Sequence, residues 1–238
     1  MTGVEKAIEA KLNDDEIEKL GTQFEEAAPE TVLHWALQRF GKSVALATGF
    51  GPEGCVLVHM LAGIEPNARI FYLDTDLLFD GTYDLRHRLE DRYRVRFERQ
   101  TAELSLEDQA ARFGEKLWQT DPDQCCILRK VQPLTRMLSG LDAWITAIRR
   151  GQTEDRAHAK IVERDKKFGI VKINPLAAWS SEDVWKFIAE NDVPYNKLHD
   201  EGYPSIGCRP CTSLVQIGED QRSGRWRGIE KTECGLHR

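Results

Sequence analysis

Short apolar runs alternate with amphipathic stretches along most of the chain. Between residues 4 and 40, apolar side chains such as Ile17, Leu20 and Phe24 recur at helical spacing, which predicts two or three helices. Beyond residue 40, compact apolar runs typical of buried strands are each followed by a stretch of helical character. The predicted strands are 43–48, 69–74, 92–99, 141–148 and 170–173, and the predicted helices are 55–62, about 83–92 and 181–190.

This alternation of strands and helices predicts an α/β fold, with a mostly parallel sheet and helices on both faces. The period-two pattern at residues 92–99 indicates a strand that turns its arginines to solvent. From residue 194 onward the chain is rich in turns, and it ends in a polar segment. We therefore predict an α/β domain over residues 1–217 and a flexible C-terminal tail over residues 218–238.

Composition and charge narrow the class of protein. The chain has 238 residues, of which 41% are hydrophobic and 30% charged, and this supports a folded core. A net charge of −6 argues against a protein that binds nucleic acid or an anionic membrane. No apolar run is long enough to span a bilayer and no secretory signal is visible, so we expect a cytoplasmic protein. Six cysteines in a reducing compartment indicate ligands or reactive thiols rather than disulfides.

Four of the cysteines form two closely spaced pairs. Cys125 and Cys126 are adjacent, whereas Cys208 and Cys211 form a CxxC motif. Four thiolates fit either a tetrahedral zinc ion or a four-cysteine iron–sulfur cluster. Adjacent cysteines are unusual ligands for zinc, so the spacing favours a cluster, with zinc and unrelated core or redox cysteines as the alternatives.

The other two cysteines differ from each other in their surroundings. Cys55 lies in an apolar stretch and is predicted to be a small buried side chain. Cys234 lies on the polar tail, near Arg222, Arg225 and His237, which could lower its pKa and hold anionic oxygens. Cys234 is therefore a candidate nucleophile, the alternative being an exposed thiol without a role.

Two segments have the character of anion-binding sites. The glycine-rich loop 48–54 joins a predicted strand to a predicted helix, where backbone N–H groups and the helix N-terminus favour a phosphate. This loop lacks the lysine of a Walker A motif and does not spell GxGxxG. Arg149 and Arg150 follow another predicted strand, a position that suits anionic groups in an α/β crevice. An ordinary solvated loop is the alternative there.

Together these motifs resemble the assimilatory sulfonucleotide reductases, and most closely the iron–sulfur adenylyl-sulfate (APS) reductases. The matching segments follow one another in the family's order from residue 43 to residue 237. They are the loop 48–54, Leu73-Asp-Thr75, Cys125-Cys126, residues 148–152, Asn174-Pro-Leu176, residues 202–211 and residues 233–237.

The resemblance implies an adenine-nucleotide α-hydrolase-like fold and a role for each motif. The residues implied in holding adenosine 5′-phosphosulfate are Thr48, Gly49, Phe50, Gly51, Asp74, Arg149 and Arg150. Those implied in binding a [4Fe–4S] cluster are Cys125, Cys126, Cys208 and Cys211. The nucleophile would be Cys234, assisted by Lys130, Arg222, Arg225 and His237.

The activity that the resemblance implies is reduction of APS to sulfite and AMP through an S-sulfocysteine, in sulfate assimilation for cysteine biosynthesis. No thioredoxin-like domain follows residue 237, so the electrons would come from a separate thioredoxin or glutaredoxin-like protein. The full set of cluster cysteines favours APS. Thr48, Phe50 and Asp76 depart from the usual pattern and leave open a phosphoadenylyl-sulfate (PAPS) reductase or an enzyme that accepts both. A zinc-containing nucleotide-binding regulatory protein is the non-enzymatic alternative, and a homo-oligomer is left open.

Overall fold

A six-stranded sheet forms the centre of the protein in a computed structural model, which describes residues 11–236. The strands are β1 (Val44–Ala47), β2 (Ile70–Asp74), β3 (Phe97–Thr101), β4 (Ala143–Ile145), β5 (Val162–Arg164) and β6 (Val171–Ile173). Their order across the sheet is β3-β2-β1-β4-β6-β5, and neighbouring strands are parallel except for the pair β5 and β6. The prediction of a mostly parallel α/β sheet is confirmed.

Helices cover both faces of this sheet. They are α1 (Asp14–Gln23), α2 (Pro29–Phe40), α3 (Pro52–Ile64), α4 (Asp80–Tyr93), α5 (Leu106–Phe113), α6 (Leu117–Thr120), α7 (Pro122–Cys126), α8 (Gln132–Leu138) and α9 (Ser181–Glu190). A π-helical turn, Ile127–Val131, joins α7 to α8. Across residues 11–236, none of the helices has the length and apolar character needed to cross a membrane. The part of the predicted N-terminal helices at residues 4–10, like His237, lies outside the described residues.

The core is split by the sheet into two apolar layers. Successive side chains of a strand point to opposite faces, so Leu46 and Ile145 join the layer under α2, α3 and α9. Ala45 and Trp144 point the other way and pack against Leu134 of α8. Burial on both faces explains why β1 and β4 are continuous apolar runs in the sequence.

The predicted strand at residues 92–99 is wrong in its first half. Helix α4 continues to Tyr93, and Arg94 ends it in the left-handed region with φ +57°. The strand begins only at Phe97, at the edge of the sheet. The alternation of arginines with apolar residues therefore spans a helix end and a turn before it reaches a strand.

Candidate active site

A cavity of about 670 Å³ opens at the carboxyl ends of the central strands. Ala47 at the end of β1, Leu73 near the end of β2 and Thr146 after β4 all line it. Strand β1 lies between β2 and β4, and the order of the sheet reverses direction between β1 and β4. In open α/β sheets ligands bind at such a switch point, so this cavity is the candidate active site.

The loop 48–54 forms one wall of the cavity and leads into α3. Thr48, Gly49 and Gly51 line the cavity, and the Thr48 hydroxyl accepts a hydrogen bond from the backbone N–H of Phe50 at 3.1 Å. A Cβ atom at Gly54 would lie 2.6 Å from the Thr48 hydroxyl oxygen, so the first turn of α3 requires glycine there. The N-terminus of a 13-residue helix thus adjoins the cavity, which suits an anionic group.

Phe50 does not line the cavity, contrary to the expectation from sequence. Its side chain is buried, with ring centroids 5.3 Å from Tyr72 and 5.2 Å from Phe97. Its backbone is in the left-handed region, with φ +59°. Phe50 is therefore a core residue of the loop.

Replacing Phe50 with alanine is expected to lower the free energy of unfolding by about 3–5 kcal/mol, because it leaves a cavity between Tyr72 and Phe97. Urea unfolding of the purified variant measures this change. Phe113→Ala is the matched control, because the Phe113 side chain is 42% exposed and its loss should cost within about 0.5 kcal/mol. Equal costs for the two variants would contradict the core assignment.

Asp74, predicted to contact the substrate, lies outside the cavity lining and has structural partners instead. Its buried carboxylate accepts hydrogen bonds from the Tyr83 hydroxyl at 2.7 Å and from Arg99 Nε at 2.7 Å. Burial alone would raise the pKa of Asp74, but these bonds and the Asp76 backbone N–H lower it below its ordinary value. With its oxygens engaged in this way, Asp74 braces the end of β2 beside the cavity.

The two adjacent arginines point in different directions. Arg149 is 6% exposed, lines the cavity, and donates from Nε to the Glu53 carboxylate at 2.6 Å. Arg150 lies outside the cavity lining, since its guanidinium donates to both carboxylate oxygens of Glu25 and to the Ala159 carbonyl. The prediction that Arg150 contacts the substrate is therefore not supported, whereas Arg149 is placed to do so.

The four paired cysteines converge on a second, small cavity beside the first. Cys125 and Cys126 end α7, while Cys208 directly precedes the 3-10 turn Arg209–Cys211 and Cys211 ends it. The Cys208 sulfur lies 3.3 Å from the hydroxyl oxygen of Thr75, just beyond β2. Burial raises the pKa of Cys125 to about 12 and that of Cys211 to about 11, with nearby cysteines adding to both effects. Such thiols ionise only with cationic help, as metal ligands do.

This donor set fits an iron–sulfur cluster better than a single ion. A structural zinc ion requires four ligands converging on one point, with sulfur about 2.3 Å away. Across residues 11–236, no three His, Cys, Asp or Glu side chains have an arrangement that could hold one metal ion. A [4Fe–4S] cluster takes four cysteine sulfurs, each on its own iron, and so separates them.

Lys130 connects the two cavities. It lies in the π-helical turn that follows Cys126, and like Cys208 and Trp226 it lines both the large and the small cavity. Burial would lower the pKa of Lys130, but the sulfurs of Cys208, Cys234 and Cys126 raise it above its ordinary value. Lys130 is therefore a cation held between the candidate nucleophile and the cysteine cluster.

The C-terminal segment is docked on the domain, and half-buried Cys234 lines the large cavity. Arg222 and Arg225 line the same cavity. The Arg225 guanidinium lies 4.5 Å from the ring centre of Trp226, and its Nε is buried without a hydrogen-bond partner in residues 11–236. A Cβ at Gly207 would lie 2.3 Å from Arg225 Nη2, so the glycine gives this side chain room.

Sequence reasoning missed several polar side chains of the cavity, among them Glu53 and His199. Glu53 lies within the loop 48–54, where a carboxylate is not expected beside a bound anion, and its role is to pair with Arg149. The ring nitrogens of His199 are buried, and its ring packs edge-on against Trp185. A lone histidine in a turn gives no sequence signal of this kind.

Comparison with known proteins identifies the family of the chain. The sequence model of the phosphoadenosine phosphosulfate reductase domain family matches residues 43–214. The chain is 49% identical to adenosine 5′-phosphosulfate reductase of Salinibacter ruber, over 92% of this chain and 87% of that protein. It is 44% identical to the protein of that name from Staphylococcus epidermidis, over 94% and 93% of the two chains.

Two solved structures are similar to this chain in fold. The crystal structure of a phosphoadenylyl-sulfate reductase from Candida auris, in a phosphate complex, is similar with a TM-score of 0.77 and 32% identity, over 87% of this chain and 99% of that chain. The FMN adenylyltransferase of Candida glabrata shares the fold, with a TM-score of 0.58 and 13% identity over 94% of this chain and 81% of that one. The resemblance drawn from the motifs is thus confirmed, and the chain belongs to the phosphoadenosine phosphosulfate reductase domain family.

Proposed function

We propose that the protein is an oxidoreductase that reduces adenosine 5′-phosphosulfate to sulfite and AMP in sulfate assimilation. One observation carries the proposal: Cys234, Lys130, Arg222 and Arg225 line the same cavity as the loop 48–54. A thiol, three cations and an anion-binding loop are the groups that thiol attack on a phosphate–sulfate anhydride requires. The names of the relatives from Salinibacter ruber and Staphylococcus epidermidis support APS as the substrate.

The nucleotide phosphate is held by the loop 48–54 and the N-terminus of α3. The backbone N–H groups there carry partial positive charge, and the buried guanidinium of Arg149 adds a full charge beside them. Glu53 fixes the orientation of Arg149 through the 2.6 Å hydrogen bond. The anhydride then extends from this loop toward Lys130 and Cys234.

Cys234 supplies the nucleophile. Its thiolate attacks the sulfur of the anhydride, a Cys234 Sγ–S bond forms, and the bond between that sulfur and the bridging oxygen breaks, with its electron pair leaving on AMP. A thiolate of thioredoxin, or of a glutaredoxin-like protein, then attacks Cys234 Sγ and releases sulfite. The second thiol of the reductant resolves the mixed disulfide, so the reductant leaves as a disulfide and two electrons have passed to the sulfonate.

The cations that line the cavity with Cys234 offset the repulsion between its thiolate and the sulfonate of the substrate. A thiolate approaching a sulfonate is repelled, and this repulsion grows as the cavity excludes water. Lys130, Arg222 and Arg225 line the cavity around Cys234, where their charges offset the repulsion. His237, which lies outside the described residues, stays a proposed member of this group.

Cys125, Cys126, Cys208 and Cys211 are the residues that would hold a [4Fe–4S] cluster. Such a cluster would supply fixed charge to the site and no electrons, because the electrons of the reaction come from thiols. The chain's own contribution is the placement of Lys130 between both cavities, which ties the position of that cation to the packing around the cysteines.

Replacing Arg149 with alanine is expected to weaken AMP binding by about 10–100-fold, because a charged hydrogen-bond donor is lost and Glu53 is left as an unpaired anion beside the phosphate. Arg150→Ala is the matched control, since that guanidinium pairs with Glu25 outside the cavity. Isothermal titration of AMP distinguishes the two variants. A loss of affinity in Arg150→Ala equal to that in Arg149→Ala would contradict these placements.

The Candida auris structure, titled a phosphoadenylyl-sulfate reductase, makes PAPS the second candidate substrate. Its 32% identity is lower than the 49% and 44% of the relatives named for APS, so APS is favoured. Sulfite release from each nucleotide, with thioredoxin and anaerobically purified protein, tests the choice. A higher kcat/KM for APS supports the proposal, and a higher value for PAPS replaces it with the second candidate.

A further inference from the structure

The residue directly before the candidate nucleophile is a buried carboxylate. Glu233 is only 7% exposed, although it lies three residues before Leu236, the last residue that the structure describes. Its oxygens lie 3.0 Å from an Arg156 guanidinium nitrogen and 3.4 Å from one of Arg222, and the Thr153 hydroxyl lies 3.5 Å away. Taking a carboxylate out of water is costly unless it is paired in this way.

The partner Arg156 belongs to the α/β domain and not to the C-terminal segment. It ends the 3-10 turn Glu154–Arg156, and its other terminal nitrogen donates to the Gln152 side-chain oxygen at 2.5 Å. The same Gln152 oxygen accepts the backbone N–H of Arg149 at 3.1 Å. A continuous path of hydrogen bonds therefore runs from Glu233 to the segment that carries the substrate-facing Arg149.

The residues that follow Cys234 make contacts that are not ion pairs. The Lys167 ammonium donates to the Gly235 carbonyl at 2.6 Å, and Leu236 packs against the apolar layer that contains Trp144. Glu233 is thus the buried ion-paired residue on one side of Cys234, whereas the other side has a lysine hydrogen bond to a backbone carbonyl and an apolar contact. Because one carboxylate faces two guanidinium groups, a net positive charge is left over at Arg222 for an anionic substrate.

We propose that Glu233 is a positioning residue: by pairing with Arg156 it holds Cys234 inside the cavity, and release of this pair exposes the thiol to the reductant. The proposal rests on the proposed function in that it takes Cys234 as the nucleophile. It adds an assignment for the residue next to the nucleophile, since Glu233 and Arg156 both line the large cavity and the Glu233 carboxylate is paired there with Arg156 and Arg222.

Alkylation of Cys234 tests the anchor without any turnover. Native protein is treated with iodoacetamide, quenched, denatured and digested with trypsin, which releases Cys234 on the peptide of residues 232–238. Glu233→Gln removes the charge while keeping the shape, so Cys234 should be labelled faster by about 10–100-fold. Glu230→Gln, an exposed position on the same segment, makes the same charge change and should label like the wild type.

Steady-state kinetics supply the second measurement. A misplaced nucleophile is expected to lower kcat for APS by about 100-fold. The affinity for AMP should stay near the wild-type value, because the loop 48–54 is untouched. Arg156→Gln removes the other partner of the same ion pair. The double variant of Arg156→Gln with Glu233→Gln should be no slower than either single variant, because both substitutions remove the same interaction.

The proposal requires a change in both the labelling rate of Cys234 and kcat. Faster labelling with reduced kcat in Glu233→Gln and in Arg156→Gln supports the proposal. Labelling no faster than in Glu230→Gln, an unchanged kcat, or additive losses in the double variant would overturn it. Absence of APS reduction by the wild-type protein would instead overturn the proposed function, and the labelling comparison would still show whether Glu233 anchors the segment.

Discussion

Replacing Cys234 with serine is expected to lower sulfite release from APS by at least about 10⁴-fold, the scale of loss when a covalent nucleophile is removed. A serine hydroxyl is a far weaker nucleophile than a thiolate at neutral pH. Lys130, Arg222 and Arg225 stay in place, so binding of the nucleotide is retained. Sulfite assay and AMP titration on the same preparation measure the two properties separately.

Cys55→Ala is the control for removal of a sulfur. Cys55 is fully buried, its pKa is raised to about 12 by burial, and it does not line the cavity. Its loss is expected to reduce stability but to leave kcat within a few-fold of wild type. Sulfite release by Cys234→Ser at a rate close to that of Cys55→Ala would rule out Cys234 as the nucleophile.

Replacing Cys208 with alanine is expected to remove the iron from the protein. Anaerobically purified wild type should be brown and hold about four iron and four sulfide per chain, and the variant less than half of that. Cys208 lines both cavities and contacts Thr75, so its loss should also disturb the wall that carries Lys130. We therefore expect a fall in kcat of at least about 100-fold.

Metal analysis and the visible spectrum check this prediction independently of activity. Cys55→Ala again serves as the control, because that cysteine lies under the anion loop and not in the small cavity. Colourless wild-type protein that holds one zinc per chain would contradict the cluster assignment. Iron bound equally well by Cys208→Ala would contradict the ligand set.

Regular, amphipathic elements of the fold follow directly from the sequence. Helix α9 runs over the predicted residues 181–190, because Ser180 and Asp183 form a capping box and the apolar face is periodic. Strands β1 and β2 are confirmed for the same kind of reason, since a buried apolar run flanked by turns has few alternatives. The part of the sheet that positions the cavity was therefore predictable.

The segment that carries Cys125 and Cys126 was not predictable from the sequence. Helices α5 to α8 are four to eight residues long, too short for a helical period to stand out. The π-helical turn that directs Lys130 to both cavities has no signal in residue spacing. Strand β5 is only three residues long and runs antiparallel to β6, so the alternation of strands and helices does not predict it.

The direction of individual side chains is the other property that spacing leaves open. Arg149 has extended backbone angles, φ −121° and ψ 144°, and extended residues send successive side chains to opposite sides. That geometry separates Arg149, in the cavity, from Arg150, beside Glu25. The pair of Glu233 with Arg156 joins residues 77 positions apart, a contact that one sequence cannot indicate.

The most direct test of the account is a single turnover with APS in the absence of reductant. Wild-type protein should release one AMP per chain and gain one SO₃ group on the tryptic peptide of residues 232–238, which contains Cys234 as its only cysteine. Adding reduced thioredoxin should then release sulfite and restore the unmodified peptide. Bound nucleotide with no AMP formed, or a modified cysteine elsewhere in the chain, would contradict the central claim.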